Sequence, residues 1–158
     1  MRYPVTLQVN GTSYPVELEV GRTLLSVLRG ELGLTGSKEG CDDSECGACM
    51  VLLDGQPVNS CSYLALQVAG RQVTTVEGLA SGNRLHPLQQ AFLERGAVQC
   101  GFCTPGMLIS ATALLAANPD PTEDEIRAAL SGNLCRCTGY VGIVAAVRSV
   151  AAELASTD

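Results

Sequence analysis

Residues 36–61 read GSKEGCDDSECGACMVLLDGQPVNSC, four cysteines set among glycines and acidic side chains. Cys41, Cys46, Cys49 and Cys61 follow the spacing C-x4-C-x2-C-x11-C. The stretch starts inside a glycine-punctuated loop that runs from Gly33 to Cys49, and loops of that length within a compact domain usually carry function. Upstream, Val5, Leu7 and Val9 alternate with Thr6, Gln8 and Asn10, and Val16, Leu18 and Val20 alternate with Glu17 and Glu19. Period two predicts two half-buried strands, with Asn10-Gly11 as the tight turn between them. From Thr23 to Leu32 the period becomes helical: Leu24, Leu25, Leu28 and Leu32 share a face, and Thr23 is placed to cap it. Downstream, Met50 to Leu53 reads as a strand closed by Asp54-Gly55, and Arg71 to Val76 as another.

Beyond about Glu77 the alternation stops. Gly78, Ser81, Gly82 and Asn83 form a polar connector. Pro87 to Arg95 then shows a helical pattern with Leu88, Phe92 and Leu93 apolar, and Pro105 to Ala117 a second one, stopped by Asn118-Pro119. Thr122-Glu123-Asp124-Glu125 is a capping box ahead of Ile126 to Leu130. Ile143, Val147, Val150 and Leu154 mark a last helix. The predicted fold class is α+β: a mixed domain over 1–77, a connector over 78–84 and an all-α domain over 85–158.

Composition narrows the function. The 158 residues carry 10 basic and 16 acidic side chains, a net charge of −6, with no Trp and only 4% aromatics. That excludes a phosphate-binding surface and base-stacking platforms, so no nucleic-acid partner is expected. The longest uncharged stretch, Gly96 to Pro119, is broken by Gly, Pro, Gln and Asn. Its apolar part, Met107 to Ala117, is too short for a membrane span. The first residues, MRYPVTLQVNGTSYP, show no export signal, so a cytoplasmic, reducing location is expected, where disulfides do not persist.

A second cysteine set, Cys100, Cys103, Cys135 and Cys137, has the spacing C-x2-C-x31-C-x-C. One intervening residue keeps Cys135 and Cys137 within roughly 7 Å of each other, which suits ligands of one compact centre. Thiolates are soft donors that favour iron–sulfur clusters and zinc. The first three cysteines of the first set match the plant-type [2Fe–2S] pattern, with a distant fourth ligand. Structural zinc, disulfides and buried free thiols are the competing readings, although the C-x4-C-x2-C triplet is a poor zinc-ribbon match. A cluster held by four thiolates carries roughly two negative charges when oxidised, so backbone N–H groups beside Gly36, Gly40 and Gly47 are expected to aim at the sulfurs. Asp42, Asp43 and Glu45 must then face water.

Read together, EGCDDSECGACMV (39–51), Cys61, TVEGLA (75–80), QCGFCTPGM (99–107) and GNLCRCTGY (132–140) resemble the iron–sulfur small subunit of the molybdenum hydroxylases, the xanthine dehydrogenase, aldehyde oxidoreductase and carbon monoxide dehydrogenase family. The resemblance covers nearly the whole chain. It implies a plant-ferredoxin-like β-grasp domain followed by a four-helix domain, each with one [2Fe–2S] cluster. It implies Cys41, Cys46, Cys49 and Cys61 as metal ligands of one cluster and Cys100, Cys103, Cys135 and Cys137 as ligands of the other. It further implies molybdopterin on a large partner subunit beside the second cluster and FAD on a medium partner subunit beyond the first, in a dimer of heterotrimers. Gln99 would hydrogen-bond the pterin, and the Cys137 sulfur would lie near the pterin amine. The chain departs from the family at Met50, where Thr commonly follows the CGAC motif.

The remaining polar residues read more plainly. His86, the only histidine, precedes Pro87 and suits a capping or surface role. Arg136 suits either a salt bridge or the cluster charge and partner. Lys38 suits solvent, and Glu123 to Glu125 suit the helix dipole. No G-x-G-x-x-G or P-loop occurs, so nucleotide and flavin are expected elsewhere. The expected function is electron transfer from the molybdopterin site through two clusters to FAD, within an oxidoreductase and without catalysis by this chain alone. A free-standing two-cluster ferredoxin is the alternative.

Overall fold

Asn10 and Gly11 both adopt left-handed φ, 52° and 75°, as a two-residue turn matched to strand twist requires. They join strand β1 (Arg2–Val9) to β2 (Thr12–Glu19) as an antiparallel hairpin. The structure, a computed structural model, describes residues 1–156, so the last two residues of the segment 85–158 lie outside the described residues. Leu7, Val9 and Leu18 are buried, but Val20 lies past the end of β2 and is 68% exposed. The alternation ends early because the chain turns at Gly21, φ 94°.

Helix α1 (Leu24–Gly30) starts as expected, the Thr23 hydroxyl accepting the Ser26 N–H at 3.1 Å. It stops short of Leu32: Gly33 is left-handed, and the Leu32 N–H bonds back to the Val27 carbonyl at 3.1 Å, a common helix ending. Strands β3 (Met50–Leu53) and β4 (Gln56–Asn59) form a hairpin over Asp54-Gly55. The sequence reading did not anticipate β4. It contains Pro57 and shows no alternation, which an edge strand tolerates. Strand β5 (Gln72–Thr74) is shorter than the expected 71–76, because the chain passes into a 3₁₀ turn at Val76–Gly78. The sheet order is β2-β1-β5-β3-β4, with β5 parallel to β1 and antiparallel to β3. Leu24 and Leu28 of α1 share a core with Leu7, Val9, Val51 and Val73 of the sheet.

The later elements are helices α2 (Pro87–Glu94), α3 (Thr104–Ala117), α4 (Glu123–Ala129) and α5 (Val141–Ala155). The fold is therefore α+β, a small sheet with five α-helices among the described residues. His86 caps α2, its Nδ1 accepting the Leu88 N–H at 3.2 Å, and the capping box at Thr122 and Glu125 forms on α4. Phe92, Met107, Ala111, Ile126, Ile143 and Val147 lie in a second core. Leu93, expected with them, is 61% exposed. Glu123, expected to serve the helix dipole, also pairs with Arg127 and Arg148. Among the described residues, no helix is long and apolar enough to cross a membrane.

The two cores join where α3 meets the loop ahead of β3. A Cβ added at Gly106 would lie 2.2 Å from the Gly47 carbonyl oxygen. The same carbonyl accepts the Asn133 side-chain N–H at 3.1 Å. The buried Ser110 hydroxyl lies 2.7 Å from Asn133 Oδ1 and 2.8 Å from Met50 Sδ, with one proton to share between them. Gly106→Ala gains about 1 kcal/mol of helix propensity, yet it drives a carbon into backbone that cannot yield. The net expectation is a loss of about 1–3 kcal/mol in urea unfolding. Gly132→Ala, with nothing within 4 Å of the added carbon, is expected to stay within about 0.5 kcal/mol of the parent.

Candidate metal centres

The first four cysteines lie in and after the loop between α1 and β3. Two left-handed residues fold this loop back on itself, Ser44 and Gly47, each at φ 68°. At Gly40 there is no room for a side chain, since a Cβ would sit 3.0 Å from Cys46 Sγ and 3.2 Å from the Phe102 ring. Backbone N–H groups around Gly40 and Gly47 turn toward the sulfurs, as the sequence reading expects, whereas the Gly36 N–H donates to Glu77 Oε1 at 2.7 Å instead. The Cys46 N–H approaches Cys41 Sγ at 3.4 Å, and with the Asp43 N–H it lowers the Cys41 pKa. Gly40 and Ala48 direct theirs at Cys46, whose pKa burial nonetheless raises. Burial pushes the Cys49 thiol up to about 11, although the Cys61 N–H points at it. Asn59 braces the loop by donating to the Ser44 carbonyl at 2.9 Å, and the Ser44 hydroxyl lies 3.5 Å from Cys61 Sγ. Asp42, Asp43 and Glu45 are exposed, but the Asp43 side chain reaches Cys41 and works to raise its pKa, so not all three turn away from the sulfurs as the sequence reading expects.

The second four lie at helix ends. Cys103 is the first residue before α3 and is buried, which pushes its thiol up to about 12. Cys100 is exposed, its pKa lowered by the Phe102 N–H. Cys135 and Cys137 occupy the loop between α4 and α5. Burial alone would raise the Cys135 pKa, but hydrogen bonds from the Thr138 side chain and backbone, and from the Cys137 N–H, bring it down to about 7. The four cysteines line an open cleft of about 550 Å³ with Phe102, Leu134, Arg136 and Tyr140. Gln99 is exposed and makes no hydrogen bond among the described residues. Arg136 is exposed too and forms no ion pair among them. Lys38, read from the sequence as solvated, donates to the Thr35 carbonyl at 2.7 Å.

The two cysteine sets are linked by backbone. The Leu134 N–H, one residue before Cys135, donates to the Cys46 carbonyl at 2.9 Å.

The donors suit [2Fe–2S] groups. All eight cysteines are free thiols, so no disulfide competes. In the first quartet the sulfurs interact as Cys41 with Cys46 and Cys49 with Cys61; in the second, Cys100 meets Cys137 and Cys103 meets Cys135, with Cys135 also acting on Cys100 and Cys137. A single zinc ion needs its four sulfurs gathered about 2.3 Å from one point. Among the described residues, no three Cys, His, Asp or Glu are arranged to hold one ion. Two bridged irons need the four thiolates spread more widely than one ion does, and the converging N–H groups fit their negative charge. Ser44, Asn59, Thr138 and Tyr140, which support the sulfurs, escaped the sequence reading. The signal available was the run of hydroxyls in CTGY directly after Cys137.

The sequence matches two families, one described as a 2Fe-2S iron-sulfur cluster binding domain over residues 7–80 and one as a [2Fe-2S] binding domain over 75–148. It is 53% identical over 144 residues to the nicotinate dehydrogenase small FeS subunit of Eubacterium barkeri, covering 91% of this chain and 92% of that protein. It is 50% identical over 157 residues to the nicotine 6-hydroxylase small subunit of Paenarthrobacter nicotinovorans, covering 99% and 94%. The fold superposes on the crystal structure of quinoline 2-oxidoreductase from Pseudomonas putida 86 with a TM-score of 0.94 and 44% identity, covering 98% of this chain and 97% of that chain.

Because the quartets are built from separate loops, damage to one is expected to spare the other. Cys103→Ser should lower iron from about four to about two per chain, with acid-labile sulfide falling in step. Iron and sulfide analysis of the purified protein checks this, and loss of all the iron would mean that the sites are not independent.

Proposed function

This chain belongs to the iron–sulfur small subunits of the molybdenum hydroxylases, and on that premise we propose that Cys41, Cys46, Cys49 and Cys61 hold one [2Fe–2S] cluster and Cys100, Cys103, Cys135 and Cys137 the other. It is the electron-transfer subunit of a multi-subunit oxidoreductase, with molybdopterin and FAD on partner subunits. When bound, the two clusters supply reversible one-electron transfer. The chain's own residues fix where each is held, how far it is buried and what charge surrounds it.

The observation that carries the reading is the contrast between the two quartets. Cys100 and Cys137 are exposed in an open cleft, and near them Phe102, Leu134 and Val141 are 46%, 58% and 71% exposed. Apolar side chains grouped around exposed thiols favour a lasting protein partner over a freely diffusing carrier. The second quartet therefore faces the molybdopterin subunit, and the first passes electrons on to FAD. Gln99, exposed and next in sequence to Cys100, reaches the pterin, since an amide both donates and accepts. The Cys137 sulfur lies near the pterin amine.

The finer assignments belong to the same proposal. Residues 1–77 form a ferredoxin-like β-grasp domain and 85–158 a four-helix domain, joined by 78–84. The complex is a dimer of heterotrimers with a large molybdopterin and a medium FAD subunit. It works in the cytoplasm, where thiols stay reduced until they meet iron.

The protein purified with its partners is expected to be brown, with about four irons in this subunit. Colourless, zinc-loaded protein, or a chain that purifies with no molybdenum-bearing partner, would overturn the proposal. Gln99→Ala should slow molybdenum-to-flavin transfer while both cluster signals persist in electron paramagnetic resonance. Loss of a cluster signal in that variant would assign Gln99 to assembly.

A further inference from the structure

We propose that the Thr138 hydroxyl is a positioning group that sets the reduction potential of the centre at Cys100, Cys103, Cys135 and Cys137, held in place by Tyr140. The inference rests on the cluster assignment above and adds a role for two residues that are not ligands.

The proton count fixes the direction of the hydrogen bonds. Thr138 Oγ1 accepts the Tyr140 N–H at 3.1 Å and lies 3.1 Å from Cys135 Sγ. With a lone pair committed to Tyr140, the hydroxyl keeps its own proton. A cysteine bound to iron is a thiolate and has none to give, so Thr138 donates and sulfur accepts. The chain closes on itself at the other end of the motif, where the Cys135 N–H donates to the Tyr140 hydroxyl at 2.8 Å. Three hydrogen bonds thus lock residues 135 to 140 into a ring.

The backbone carries the mark of that constraint. Tyr140 sits at φ 68°, a left-handed conformation that costs a bulky residue about 1–2 kcal/mol. Such strain persists only where surrounding contacts over-determine it. Here the Tyr140 ring and backbone N–H each hold one side of the ring, and helix α5 begins directly after it. The first quartet has a weaker counterpart. Ser44 is also left-handed, but its hydroxyl stands 3.5 Å from Cys61 Sγ. The two centres are therefore tuned unequally.

The sign follows from charge. Adding one electron raises the negative charge shared by the ligating sulfurs, and an O–H donor stabilises the reduced form more than the oxidised one. Removing the hydroxyl makes reduction harder.

The test is a reductive titration with dithionite of the whole complex, followed by electron paramagnetic resonance so that each centre is read separately. The parent complex must first show two distinct two-iron signals. Their absence would refute the cluster assignment itself, before any variant is compared. In Thr138→Val the reduction equilibrium constant of the second-quartet centre is expected to fall at least threefold, about 28 mV for one electron. The first centre, in the same sample, should not move. Thr138→Ser restores the hydroxyl and is expected to restore the parent potential. An unshifted Thr138→Val, or equal shifts in both variants, would overturn the proposal. Should Thr138→Val fail to assemble the centre, Thr138→Ala carries the same comparison. Failure of both with Thr138→Ser intact would assign the hydroxyl to assembly and likewise overturn it.

Discussion

Helix α3 approaches the loop of the first quartet so closely that Gly106 has no space for a single carbon against the Gly47 carbonyl. The rest of the arrangement depends on this contact. Two small cores, each built around its own elements, would otherwise meet through side chains that can slide. Here they meet through backbone, and Asn133 fixes the same Gly47 carbonyl from the α4 side. Close packing of this kind transmits position with little play. Since electron tunnelling weakens steeply with distance, a junction of glycine, asparagine and serine holds the two centres at a constant separation better than a larger apolar seam would.

The second constraint is charge. On the proposed ligand assignment eight sulfurs become anionic, while burial, reinforced by neighbouring sulfurs, pushes Cys49 up to about 11 and Cys103 up to about 12. The chain answers largely with backbone donors: Lys38 bonds a nearby carbonyl, while Arg136 adds a cation in the cleft of the second quartet. Backbone N–H groups of Gly40, Asp43, Cys46 and Ala48 serve the first quartet, and those of Phe102, Cys137 and Thr138 the second. N–H dipoles offset negative charge without adding a mobile ion, and they stay in place when the charge changes by one electron. Left-handed residues at Ser44, Gly47, Gly101, Gly139 and Tyr140 give the loops the curvature that turns those groups inward.

Much of this was legible before the structure. Asn10-Gly11, the Thr23 cap and the Thr122 capping box declare themselves locally, because turn and cap chemistry acts within four residues. The close cysteine pairs and the C-x4-C-x2-C triplet were local in the same way, whereas joining Cys103 to Cys135 across 31 residues rested on the resemblance. What stayed hidden was long-range or unpatterned. Strand β4 lacks alternation, and the parallel pairing of β1 with β5 joins Gln8 to Gln72 across the chain. The Leu134 to Cys46 hydrogen bond likewise spans segments with no common pattern. Met50 shows the same limit. It stands where the family commonly has Thr, and its thioether meets the Ser110 hydroxyl of α3, a contact to the other core that the local sequence does not reveal.

The two quartets differ in how they meet the surface. Each quartet has one buried cysteine, Cys49 or Cys103, and more open ones around it. Cys46 and the residue before Cys135 share a backbone hydrogen bond, so the quartets are coupled through the protein interior. Cys100 and Cys137 instead open outward among apolar side chains. A carrier that met its partners by brief collision would gain from a charged, water-facing rim that steers encounter and lets go quickly. An apolar rim around exposed thiols does the opposite, since its burial favours staying bound. The acidic side chains Asp42, Asp43 and Glu45 border only the first quartet. One end joins an apolar rim to the single cation Arg136 and the other carries acidic charge, so the two ends are built for different neighbours.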